Sequence, residues 1–103
     1  MLSNSEIDKF NFVFDNLIQI ANESNADSFD ECVEIVDKEI NDVLINVFGK
    51  IPSPEKVLSY LADSRGRGID WSSLEDLGYT NSDGIEDVYY ELAHRAAENT
   101  YKY

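Results

Sequence analysis

Apolar residues recur at intervals of three and four along most of this chain, and no segment alternates apolar with polar in a sustained run. That periodicity predicts helices and no sheet. Between residues 5 and 23 the stripe runs through Ile7, Phe10, Phe14, Leu17, Ile18 and Ala21, with Ser3 or Ser5 placed to cap it. Phe12, Val13 and Ile20 lie off the stripe, so this helix is expected to be covered on more than one side. A second helix opens at Asp27 or Ser28, carries Phe29, Cys32, Val33, Val36, Ile40, Val43, Leu44 and Val47 inward, and ends at Gly49. A third starts at Ser53, with Pro54 in the first helical position, and runs to about Asp63 with Val57, Leu58 and Leu61 inward.

Glycines at 66, 68, 78 and 84 then break the periodicity repeatedly. Within that stretch, "DWSSLEDLG" predicts a short helical turn, capped by Asp70 or Ser72 and held to the core by Trp71, Leu74 and Leu77. The last helix is expected over Asp83 to Asn99, with Ile85, Val88, Tyr89, Leu92 and Ala96 inward. A chain of 103 residues holds one domain of this kind. The expected architecture is therefore all-α: a small bundle of four main helices plus a short helical turn, spanning residues 1–103.

Charge changes the picture. Against 8 basic residues stand 21 acidic ones, a net charge of -13. Such a field repels nucleic acid and anionic membranes and attracts basic proteins, although acidity also serves solubility alone. Apolar content of 43% and aromatic content of 12% place the charge on a folded chain rather than a disordered tail. Cys32 is the sole cysteine, which rules out an intrachain disulfide and a thiolate metal site. With no basic, then apolar leader at the N-terminus, and with "VLINVF" too short to span a bilayer, a cytoplasmic protein is expected.

Catalytic and metal chemistry finds no support. His94 is the only histidine and has no marked nucleophile to serve. The Glu91-x-x-His94 pair lacks the second copy and further carboxylates that a di-iron bundle requires. Placing Gly84 at the sixth position of a calcium loop puts Tyr79 and Tyr90 where acidic ligands must stand. The glycines of "SRGRG" do not have phosphate-loop spacing, so Arg65 and Arg67 are expected to pair with the protein's own carboxylates or to be solvated. No enzyme activity and no cofactor is expected.

What remains is the distribution of acids. Residues 27–42 hold Asp27, Asp30, Glu31, Glu34, Asp37, Glu39 and Asp42 against the single base Lys38, and Asp30, Glu34 and Asp37 share one edge of the helix. In the last helix, Asp83, Asp87 and Glu91 repeat the pattern. The adjacent pair Tyr89 and Tyr90 sits among these acids, and residues about 100° apart on a helix cannot share a face. Tyr89 is expected inward with Ile85 and Leu92, leaving Tyr90 outside between Glu86, Asp87, Glu91 and His94. An outward tyrosine in a ring of carboxylates is either a surface residue packing on its neighbours or a binding anchor.

The segment "EDVYYE" resembles the tyrosine pair flanked by acids in the helical immunity proteins that neutralise bacterial nuclease toxins. The likeness covers about six residues and transfers no register. It implies partner-binding roles for Tyr90, Glu86, Asp87 and Glu91, and a basic nuclease domain as partner. Asp30, Glu34 and Asp37 of the second helix, together with Asp83 and Tyr79, complete the candidate surface. Phage-type inhibitors and nucleic-acid mimics share this composition, and a small regulatory or assembly domain is the reading in which acidity serves only solubility. The oligomeric state is left open.

Overall fold

Ser3 starts the first helix through a reciprocal cap: its Oγ accepts from the Glu6 N–H at 3.1 Å, and Glu6 Oε1 accepts from the Ser3 N–H at 3.1 Å. The computed structural model describes residues 2–61, 63, 65–66 and 88–100. Over these residues the chain forms α1 (Asn4–Glu23), α2 (Phe29–Phe48), α3 (Pro54–Leu61) and α4 (Val88–Thr100), with no strand. The all-α bundle expected from the pattern is present. The short turn expected over "DWSSLEDLG" and the start of the last helix at residues 83–87 lie outside the described residues.

Local signals set the ends of the helices. Ser28, not Asp27, caps α2, its Oγ accepting from the Glu31 N–H at 3.2 Å. Gly49 terminates α2 at φ 78, its N–H donating to the Ile45 carbonyl at 2.8 Å. No neighbouring atom lies within 4 Å of where a Cβ would stand at Gly49, so it is the left-handed backbone that calls for glycine there. Helix α3 is described over Pro54–Leu61, and Ala62 lies outside the described residues.

Helices α1, α2 and α4 pack against one another pairwise, and α3 closes against α4. The core is the shared interior of that trio: Phe10, Phe14 and Leu17 from α1, Val36 and Leu44 from α2, and Leu92 and Ala96 from α4 are fully or almost fully excluded from solvent. Cys32 is among these buried residues, a packing element of α2. Tyr60 brings α3 into contact with α1, its ring stacking on Phe10 at 5.0 Å while its hydroxyl donates to Asn11 Oδ1 at 2.7 Å. Phe48 packs on the same Phe10 ring at 4.7 Å.

The residues off the α1 stripe separate. Val13 is fully buried and Ile20 half-buried, as a helix covered on two sides requires, whereas Phe12 is 60% exposed. Beyond α3, Arg65 ties the chain back to the N-terminus. Its guanidinium donates to Asp63 Oδ2 at 2.7 Å, to Asn4 Oδ1 at 2.7 Å and to the Leu2 carbonyl at 3.0 Å. Those hydrogen bonds from Arg65 hold the Asp63 carboxyl below its ordinary range. Of the two outcomes expected for Arg65, pairing with one of the protein's own carboxylates is the one observed; Arg67 lies outside the described residues.

Candidate functional site

Helix α4 has a wide buried face, and its width decides which polar side chains remain available. Val88, Leu92 and Ala96 point inward as the periodicity demands, but Ala93 and Ala97 are equally buried. The buried face is wider than the apolar strip, and residues flanking that strip lie inside as well. Glu91 and Arg95 are those residues, at 9% and 6% exposure. Arg95 Nε donates to Glu91 Oε1 at 2.9 Å, and Arg95 Nη2 is buried with no hydrogen-bond partner among the described residues.

This corrects the expectation for Glu91. It is not part of an exposed acid ring around Tyr90 but half of an internal ion pair, and it has no surface to offer a partner. The physical reason is mutual neutralisation across one helical turn, which makes burial of both charges tolerable where burial of either alone would not be.

Tyr90 does face outward, at 43% exposure. It begins a stripe that continues through His94 and Glu98, spaced four residues apart on the outer edge of α4. The Tyr90 and His94 rings lie 6.4 Å apart, and His94 Nδ1 stands 4.0 Å from Glu98 Oε2. His94 also meets α2: the Phe29 ring packs edge-on against it at 5.1 Å and 88°. That contact joins the start of α2 to the Tyr90 edge of α4. Asp30 follows Phe29 directly and is exposed, as are Glu31 and Glu34; Asp37, one turn further, is half-buried.

Tyr89 is half-buried rather than fully inward, and its hydroxyl donates to the Pro52 carbonyl at 2.7 Å. The two tyrosines therefore divide as their spacing requires, one anchoring α4 to the segment before α3 and the other presented outside. Tyr79, Asp83, Glu86 and Asp87 lie outside the described residues. The surface that can be built is Asp30, Glu31 and Glu34 on α2 with Tyr90 and Glu98 on α4, joined through Phe29 and His94.

Neither the Phe29–His94 contact nor the burial of Arg95 stands out in the sequence, although the four-residue spacing of Glu91 and Arg95 is a local sign of an ion pair. Among the described residues no group of three or more His, Cys, Asp or Glu side chains is arranged to hold a metal ion, and no helix is long and apolar enough to cross a membrane. No protein-family model matches the chain, and no curated protein or solved structure matches it at a significant level.

Proposed function

We propose that this protein is a non-catalytic, cytoplasmic binding protein that neutralises a basic partner, in the manner of an immunity protein against a nuclease-type bacterial toxin. The observation that carries the reading is the outward Tyr90, 43% exposed and linked through His94 and Phe29 to the acid-lined start of α2. An aromatic side chain with a polar tip, beside exposed carboxylates, suits a hot spot towards which charge steers a cationic surface. Occlusion is the mechanism: carboxylates of α2 and Glu98 of α4 meet the basic residues with which the target holds nucleic acid, and Tyr90 anchors the contact. A phage-type inhibitor would use the same surface.

A second reading is favoured by a different face. Phe12, 60% exposed, lines with Asn16, Val43, Asn46 and Val47 a groove of about 460 Å³ between α1 and α2. An assembly or regulatory domain would bind through this apolar groove, with the acidity serving solubility.

Co-expression with the protein encoded immediately upstream tests the first reading. The toxin domain alone should arrest growth and cleave nucleic acid, the wild-type chain should restore growth, and Tyr90→Ala should restore it less well. Rescue that survives Tyr90→Ala but fails with Phe12→Ala would transfer the site to the α1–α2 groove. Lack of any growth arrest or any complex would remove the immunity reading.

A further inference from the structure

In a chain with only 8 basic residues, three of them converge on one groove. Lys9 of α1, Lys50 of the segment after α2 and Lys56 of α3 line a cavity of about 470 Å³ whose apolar surface comes from Phe48, Ile51 and Pro52. Pro52 is buried and Phe48 half-buried, so they form the floor; the lysines are exposed at its edges. Ile51 is 43% exposed beside it, a large apolar side chain left in water next to cations.

The charges are not all satisfied within the groove. Lys56 Nζ is paired with Glu6 Oε2 at 2.7 Å. Lys9 Nζ stands 5.9 Å from the centre of the Phe48 ring, and neither Lys9 nor Lys50 has a carboxylate partner among the described residues. With 21 acids in the chain, two ammonium groups without such partners beside an apolar floor run against the prevailing charge.

We propose that this groove binds a small amphiphilic organic anion, an aliphatic or aromatic carboxylate whose apolar body lies on Phe48, Ile51 and Pro52 while its carboxylate meets Lys9 and Lys50. The volume falls within the range of small-molecule sites, which are mostly apolar with a few polar groups fixing orientation. The net charge selects a small anion over an acidic protein. A macromolecular polyanion would face the repulsion of -13 over its whole footprint. A monoanion seated at Lys9 and Lys50 meets, among the described residues, one carboxylate lining the groove, Glu6, which Lys56 pairs at 2.7 Å, while salt screens carboxylates farther than about 8 Å.

The test uses the full chain and octanoate as probe, with octanamide as the uncharged comparator and an acidic heptapeptide with a central leucine as the macromolecular one. Titration followed by amide NMR should show saturable shifts confined to Lys9, residues 48–51, Ser53 and Lys56. Octanamide should bind at least about tenfold more weakly, as should octanoate to the Lys9→Glu/Lys50→Glu double variant, if the ammonium groups supply the anion contact. Lys38→Glu, a charge reversal on the exposed face of α2, should leave octanoate binding unchanged. Shifts scattered over the surface, equal binding of the amide, indifference to the double substitution, or tighter binding of the peptide would each overturn the proposal. None of these measurements involves a toxin, so they stand or fall apart from the immunity reading.

Discussion

Arg95 Nε lies 2.9 Å from Glu91 Oε1, one helical turn back, with only 7% and 11% of the two side chains exposed. Removing either partner leaves a charge buried without its counter-ion, a change that typically destabilises by about 3 to 5 kcal/mol. Glu91→Ala and Arg95→Ala should each fall in that range by urea denaturation. The double variant Glu91→Ala/Arg95→Ala should be less destabilised than the sum of the two, since neither substitution in it strands a buried charge without its counter-ion. Additive losses would show that the pair is not coupled.

The division between Tyr89 and Tyr90 predicts opposite phenotypes. Tyr89→Phe deletes the hydroxyl that donates to the Pro52 carbonyl at 2.7 Å and should lower stability by about 1 kcal/mol. Tyr90→Ala should cost the fold less than Tyr89→Ala, and should weaken partner binding by about 2 kcal/mol, the scale of a hot-spot residue. Thermal melts and titration calorimetry on the same set of variants separate the two effects.

Glu6 predicts an acid-dependent term in stability. The hydrogen bond from Lys56, followed by that from the Ser3 backbone, lowers its carboxyl to about 2. A carboxyl depressed on folding stabilises the native state fully above its ordinary value of 4.5, and the contribution is lost as pH falls towards 2. The stability gap between wild type and Lys56→Met should therefore be constant above about pH 5 and close between pH 4.5 and 2. Denaturation curves across that window read it directly. Because Glu6 is partly in solvent, the gap should also narrow in high salt.

Gly49→Ala isolates a backbone effect. At φ 78 an L-residue is strained, yet nothing stands within 4 Å of the added methyl group. The substitution should lower stability by about 1 kcal/mol through the backbone alone. Helix content by circular dichroism should be unchanged. A loss several-fold larger would mean that the turn into Lys50 is repacked as well.

The sequence by itself determined the helices and several of their ends. Ser3, Ser28 and Gly49 act on backbone groups within a turn of themselves, and the stripes of α1 and α2 have the period of the element they form. It also determined that Tyr89 and Tyr90 must diverge, because their angular separation is a property of any α-helix. Tertiary structure alone decided how deep each helix sits. Periodicity marks the centre of a buried face but not its width; the buried face of α4 extends to Ala93 and Ala97 and takes Glu91 and Arg95 inside, while Phe12, as apolar as its neighbour Val13, stays in water. Contacts such as Phe29 with His94, and the meeting of Lys9, Lys50 and Lys56, join residues far apart in the chain. Their side chains come together only when whole helices pack, and no local pattern encodes the distance between two helices.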